Sequence, residues 1–382
     1  MKVYYIANAR MPTEKGHGIQ IAKMCEAFIE AGVDLTLVVP RRATDPRSVQ
    51  DYYSLRVEVP LVRLPALDWY TGGRFGYLLS SLSFMFSYLL FVWRRKMAGE
   101  KFILYTVDTD NYSSSALACF SRPLFSEMHG AKLRTLATRT LFSGTTGIIA
   151  INSIIVAELQ QNFPKSRARY LVEPNGIDLS EFSEMSKRDA RTRLGLPHDV
   201  PVVLYLGRFF DWKGLEIVPQ AAAATPSIRW QVVGGTEEDF TRLVNEPLPP
   251  NLFLPGGCLY SERTVWFAAA DALLVLGTAR DRQSYRYTSP MKLFEYLAAG
   301  RPVIASNTPA IREIVSEKEV IFYEPDNARD LARAAEQAVR ESGETAQRVA
   351  AGKQLAAASS WRARAERIIR FIKENIPPHA YA

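Results

Sequence analysis

The feature that most constrains this chain is a unit it writes twice: an apolar strand, a loop carrying glycine, a helical pattern and a second apolar strand. The first copy runs Lys2-Val-Tyr-Tyr-Ile-Ala, then Gly16-His17-Gly18, then Ile21, Met24, Cys25 and Phe28 at helical spacing, then Gly32 and Asp34-Leu-Thr-Leu-Val-Val. The second runs Pro201-Val-Val-Leu-Tyr-Leu-Gly207-Arg208, then Lys213-Gly214 and a helix, then Arg229-Trp-Gln-Val-Val-Gly234-Gly235. Strands that are apolar throughout, with a helix between them, pair in parallel, since the crossover helices cover both faces of the sheet. Each such unit leaves its glycine loop at the carboxyl end of a strand, where open α/β sheets bind ligands. More strands follow each copy, among them Phe102-Ile-Leu-Tyr-Thr-Val107 and Ala272-Leu-Leu-Val-Leu-Gly277. A chain of 382 residues is long for one core, so the pattern predicts two doubly wound α/β domains with a cleft between their strand ends. We place them at residues 1–180 and 181–355, with the charged run 183–193 as a connector and a terminal segment at 356–382.

Several function classes lose support at once. Neither loop has the Gly-x-Gly-x-x-Gly spacing of a dinucleotide fold, and there is no Gly-Lys-Ser/Thr phosphate loop. Cys25, Cys119 and Cys258 are odd in number and lack metal spacing, so buried thiols in a reducing compartment are expected. A strand starting at residue 2 leaves no room for a cleavable signal peptide, and a cytoplasmic protein is expected. Residues 1–170 hold 21 Lys and Arg against 13 Asp and Glu, a balance of +8, whereas the whole chain carries +7. The basic excess thus belongs to the first half. It suits an anionic partner such as a membrane surface, a phosphorylated lipid or nucleic acid, or else a solvated surface. Residues 76–93 form an uncharged run ahead of Arg94-Arg95-Lys96. Four serines and two tyrosines interrupt it, which argues against spanning; a packed helix or one with a face in the bilayer interface remains.

The densest local signal is Tyr287-Thr-Ser-Pro-Met-Lys-Leu-Phe-Glu295-Tyr-Leu-Ala-Ala-Gly300-Arg-Pro-Val-Ile-Ala-Ser306. Ser289 as N-cap, Pro290 at the first helical position and Gly300 as a left-handed stop predict a helix of about three turns. Its start leaves the N–H groups of Met291 and Lys292 without intrahelical acceptors, at the positive end of the helix dipole, which suits an anion. Glu295 repels that anion and, if it faces the ligand, suits neutral hydroxyls such as those of a ribose. An ordinary helix with a solvated Glu295 is the alternative. Arg208 and Lys213 flank a strand-to-helix turn, where a guanidinium fork and an ammonium suit a diphosphate; two surface cations are the alternative. Asp108-Thr-Asp110 ends a strand and has the form of a metal-holding pair. His129, beside Gly130 at another strand end, is placed to bond a substrate hydroxyl or to be structural.

In order and spacing, Pro174-Asn-Gly-Ile-Asp178, Leu206-Gly207-Arg208 through Lys213-Gly214, Val233-Gly-Gly, and Ser289-Pro-Met-Lys through Glu295 to Gly300-Arg-Pro resemble the family-4 retaining glycosyltransferases of the GT-B fold. The resemblance covers nearly the whole chain. It implies two Rossmann-like domains, the first holding the acceptor and the second a nucleotide diphosphate sugar, with the terminal helix crossing back to the first. It implies that Gly207, Arg208, Lys213 and the N–H groups after Ser289 bind the donor diphosphate and that Glu295 takes the ribose hydroxyls. It puts Gly16, His17 and Gly18 against donor or acceptor, and His129 near the transferred sugar. The family's first signature glutamate falls on Tyr287, which cannot act as a carboxylate. The implied activity is metal-independent transfer of a sugar to a lipid-linked or glycan acceptor, with no cofactor and no nucleic-acid partner. A catalytically silent nucleotide-sugar-binding or scaffold subunit, or an epimerase or hydrolase of the same fold, is the alternative.

Overall fold

The computed structural model describes residues 1–69, 71–110, 112–120, 123–182 and 185–376. The chain divides into two compact units, one formed by Met1–Asn175 together with the segment from Trp361 onward, the other by Gly176–Ser360.

In the first unit, seven parallel strands lie in the order β3-β2-β1-β4-β5-β6-β7. They are β1 (Lys2–Ile6), β2 (Asp34–Pro40), β3 (Leu61–Leu64), β4 (Ile103–Val107), β5 (Leu124–Met128), β6 (Gly147–Ala150) and β7 (Arg169–Val172). β4 and β5 are buried along their whole length, which is why they read as unbroken apolar runs. The order reverses between β1 and β4, so the loops after these two strands diverge and leave a crevice at their carboxyl ends.

The helix Gly73–Met97 packs beside this sheet through Phe84, Tyr88 and Val92. Its serines are bound to protein. Ser80 and Ser83 accept from the N–H groups of Trp69 and Leu67 at 2.9 and 2.7 Å, and the Ser87 hydroxyl donates to the Pro65 carbonyl at 2.5 Å. Ser81 accepts from Asn8 Nδ2 at 3.0 Å. The helix is therefore docked along one side of the first unit.

The second unit has six parallel strands in the order β10-β9-β8-β11-β12-β13. They are β8 (Val202–Leu206), β9 (Arg229–Val233), β10 (Leu252–Phe253), β11 (Ala272–Val275), β12 (Val303–Ser306) and β13 (Ile321–Tyr323). Here the order reverses between β8 and β11. The charged segment read as a connector is structured instead. Lys187–Leu194 is a helix capped by Ser186 and stopped by left-handed Gly195, and its buried Arg191 bonds the Ala269 carbonyl and pairs with Asp271. The charge run concealed this, because one arginine is consumed internally. Ser183 and Glu184 of that run lie outside the described residues.

The helix Trp361–Glu374 follows the second unit in sequence but belongs to the first, where it packs on the helix Gly16–Glu30. Its Arg364 is fully buried, and Nη2 lies 2.6 Å from Glu127 Oε1 on β5. Removing one partner of a buried pair strands the other charge. Arg364→Met should cost about 3–5 kcal/mol in urea unfolding, and Glu127→Gln in the same chain should recover part of that loss. Equal stability of Arg364→Met and the parent would refute a structural role for the pair.

Candidate functional site

In the second unit the residues expected to bind a diphosphate gather at the β8/β11 reversal. β8 runs straight into Gly207 and Arg208, a short turn Asp211–Lys213, and left-handed Gly214 (φ +80°). The glycines let loops touch. A Cβ on Gly234 would lie 1.9 Å from the Gly207 carbonyl oxygen, and one on Gly235 2.6 Å from the Phe209 ring. At Gly207 it would lie 3.1 Å from Cε of Lys292, so the Lys292 side chain folds back over the β8 loop.

The helix behind this loop is Met291–Ala298, shorter than expected and without a cap bond from Ser289. Residues Gln283–Tyr287 wind as a π turn, with the Thr288 N–H on the Gln283 carbonyl at 3.0 Å, so Pro290 becomes the capping residue. Gly300 is left-handed, φ +65°. The first intrahelical bond is from Leu293 N–H to the Pro290 carbonyl, which leaves the N–H groups of Met291 and Lys292 ahead of it. Tyr296 ties helix to loop: its hydroxyl accepts from Leu206 N–H at 3.1 Å and donates to the Leu206 carbonyl at 3.2 Å. The last residue of β8, just before Gly207, is thereby fixed to the helix.

Two amines are desolvated here. Burial lowers Lys213 to about 8, with Lys292 adding repulsion, and burial likewise lowers Lys292. Neither forms an ion pair among the described residues. Lys213 Nζ sits 4.0 Å from the Trp212 ring centroid, a partial substitute for water. Arg208 is exposed at the same loop. Glu295 is buried, and Oε1 accepts from Arg263 Nε at 3.0 Å, while Arg263 also pairs with Glu181. Glu295 is thus not a solvated helix carboxylate. Arg263, absent from the sequence reading, holds one of its two oxygens. Tyr287 is buried, with the Arg282 guanidinium 5.5 Å from its ring centroid.

In the first unit His129 follows β5. Its Nε2 lies 3.0 Å from Glu127 Oε1, and its N–H donates to Asp108 Oδ1 at 3.0 Å. Burial opposes a charge on Glu127, but Arg364, then His129 and Tyr105, hold the carboxyl down at about 2. A carboxylate so held takes a hydrogen bond from the imidazole, so Nε2 is the donor. The Tyr105 hydroxyl and Gln20 Nε2 complete the cluster at 2.7 and 2.8 Å from Glu127. His17 is solvent-exposed on the first turn of the helix Gly16–Glu30. Gly18 has a packing reason, since a Cβ would lie 2.3 Å from the Tyr53 hydroxyl.

Asp108 and Asp110 are engaged separately. Asp108 Oδ2 pairs with Lys132 at 3.1 Å, while Asp110 accepts from Asn8 Nδ2 at 2.9 Å and from Tyr112 and Ser113 N–H at 2.8 and 2.6 Å. A divalent ion at Asp108 would have to displace an ammonium. Asn8, at the end of β1, also accepts from Arg42, whose pKa burial lowers to about 10. An open pocket of about 630 Å³ adjoins this cluster, lined by Gly73, Arg74, Tyr77, Leu78 and Tyr112. A larger hollow of about 740 Å³ beside β7 and the terminal helix contains none of these residues.

Residues 186–355 match the model of the glycosyl transferases group 1 family. The D-inositol 3-phosphate glycosyltransferase of Mycobacterium tuberculosis is 32% identical over 154 residues, covering 36% of this chain and 29% of that protein. The match therefore spans less than a third of the curated relative's length. The fold is similar over 98% of both chains to sucrose-phosphate synthase from Thermosynechococcus elongatus, with TM-score 0.78 and 20% identity. Anabaena HepE, solved in complex with UDP and glucose, gives TM-score 0.72 and 16% identity over 98% of this chain and 100% of that one. The two parallel-sheet units thus have the GT-B fold, and over residues 186–355, most of the second unit, the chain is similar to the glycosyl transferases group 1 family.

Proposed function

We propose that the protein is a retaining glycosyltransferase that moves a sugar from a nucleotide diphosphate sugar to a lipid-linked or glycan acceptor, in the cytoplasm and without a metal. The observation that carries this is the pair of half-buried, desolvated amines, Lys213 and Lys292, beside the Gly207 loop and a helix start. Two desolvated cations near each other are costly in the ligand-free protein, and a diphosphate relieves both. The likeness to a HepE structure with bound UDP-glucose supports a nucleotide diphosphate as the anion.

The chemistry asks little more of the chain. The bond from the sugar's anomeric carbon to the diphosphate breaks, the acceptor oxygen bonds that carbon on the same face, and the acceptor's proton passes to the departing phosphate. Negative charge grows on the leaving group, where Arg208, Lys213 and the N–H groups of Met291 and Lys292 stabilise it. Glu295, with one oxygen on Arg263, offers the other to the ribose. In the first unit, His129, oriented through Glu127, bonds a sugar or acceptor hydroxyl. The buried Tyr287 favours one second reading, a nucleotide-sugar-binding subunit without turnover. Tight UDP-glucose binding with no transfer to any acceptor extract would select it.

Arg208→Ala should lower donor turnover by at least about a hundredfold, the scale of losing one charge-stabilising donor; unchanged turnover would refute the diphosphate site. Activity should persist in EDTA, whereas its loss and recovery with Mn²⁺ would move the chemistry to Asp108 and Asp110. Lys213 should act oppositely on stability and on binding. Its pKa is lower folded than the ordinary 10.5, so stability falls as pH drops from there to about 8, and at neutral pH the whole penalty is present. Lys213→Met should therefore stabilise the ligand-free protein by up to ~3 kcal/mol while removing the thermal shift given by UDP-glucose. In the parent, donor affinity should fall as pH rises through about 8, and Lys213→Met should lack that step.

A further inference from the structure

The helix Gly73–Met97 is two-faced. Gly76, Ser80, Ser81, Phe84, Tyr88 and Val92 are buried in the first unit, and the serines bind the 65–69 loop and Asn8. The other face carries Phe75, Leu78, Leu82, Phe86, Trp93 and Met97, spaced by three, four or seven residues and all exposed, Phe86 by 71% and Trp93 by 52%. This is a continuous apolar stripe about 35 Å long at 1.5 Å per residue. Scattered exposed apolar residues need no explanation, but a contiguous stripe with aromatic rings does. By length and composition the helix could cross a bilayer, with a mean hydropathy of 1.7 in its most apolar window. Spanning would strip its buried face from the sheet and leave four serine contacts unmade.

The charges select the occupant. The helix carries Arg74, Arg94, Arg95 and Lys96 and no acidic residue. Arg95 is partly neutralised by Glu100 at 3.0 Å, while Arg94 and Lys96 are exposed at the helix end. A second copy of this chain would meet the stripe with cations against cations. An anionic lipid surface takes the apolar rings into its acyl boundary and the cations onto its phosphates.

We propose that the face of Gly73–Met97 carrying Phe86 and Trp93 docks flat on an anionic lipid bilayer, with Arg94 and Lys96 on the headgroups. The first turns of the same helix line the 630 Å³ pocket with Arg74, Tyr77 and Leu78, beside Asn8 and Asp110. The docked helix therefore leads from the bilayer to the ligand end of the first sheet. Where this inference names the acceptor as lipid-linked, it rests on the transferase reading above; the docking itself does not.

The test is co-sedimentation of the full chain with vesicles of phosphatidylcholine alone or mixed with phosphatidylglycerol, at low and high salt. Binding should need the anionic lipid and weaken with salt. Phe86→Ser with Trp93→Ser should lower partitioning by about tenfold or more, and Arg94→Gln with Lys96→Gln by about fivefold per charge. No binding to anionic vesicles at low salt, or binding that neither pair of substitutions changes, overturns the inference. So does a concentration-dependent dimer lost in the Phe86 and Trp93 variant without vesicle binding, which would make the stripe an interface between copies. Thermal shift by UDP-glucose, read on the same samples, shows that each variant is folded and separates the two claims. A retained shift without vesicle binding removes only the docking surface, and vesicle binding without a shift by any nucleotide sugar removes only the transferase reading.

Discussion

The contact on which the first unit depends is the buried pair of Arg364 and Glu127. Both side chains are fully buried, and the guanidinium also donates to the carbonyls of Pro174 and Glu173, at 2.7 and 3.3 Å. Taking two charges out of water is costly, and replacing such a pair with apolar groups often costs nothing in stability, so stability alone does not account for it. What the pair adds is geometry. Arg364 brings the last helix onto β5 at Glu127, and Glu127 in turn orients His129 at the carboxyl end of the same strand. A chain segment that arrives after the whole second unit thereby fixes a candidate site residue in the first.

The second unit uses a different kind of constraint. Its site is assembled from loops after β8, β9 and β11 and from one helix start, held by close approach, by uncharged contacts and, at Glu295, by the ion pair with Arg263. Gly234 and Gly235 let the β9 loop touch Gly207 and Phe209, and the Tyr296 hydroxyl clasps both peptide groups of Leu206. Lys213 and Lys292 make no ion pair among the described residues, though the Glu295 charge partly offsets the desolvation of Lys292. The contrast with Arg191, Arg263 and Arg364 is instructive, since each of those buried arginines pairs with a carboxylate of its own unit. A buried cation that the fold has already neutralised is architecture; one it has not is available to a ligand.

Much of the fold was legible because parallel strands buried on both faces appear as unbroken apolar runs, punctuated by glycine where the loops turn. The same rule hid β3, in which three residues are partly buried and Arg63 is exposed, and the helix at Lys187–Leu194, whose charge looked like a linker. At the site, residue types were legible and partners were not. Glu295 gave no sign of Arg263, 32 positions away, nor Glu127 of Arg364, 237 positions away, because pairing at such separations is set by topology. Ser289-Pro290 misled for a local reason: Thr288 bonds back to Gln283 and winds the preceding residues into a π turn, so the helix starts one residue later than its cap signal.

Tyr287 gains a physical context from that turn. It closes the π segment and is buried under the Arg282 guanidinium, so the ring fills space on the protein side of the loop. A glutamate at this position would have to bury a carboxylate or swing outward, and the π turn with its tyrosine is the packed alternative. On the proposed reading Tyr287 offers no carboxylate to sugar hydroxyls, while the groups proposed for the diphosphate lie on the β8 loop and the helix start, which Tyr296 holds independently. In that proposal sugar recognition and leaving-group stabilisation are separable, and Tyr287 bears on the first alone.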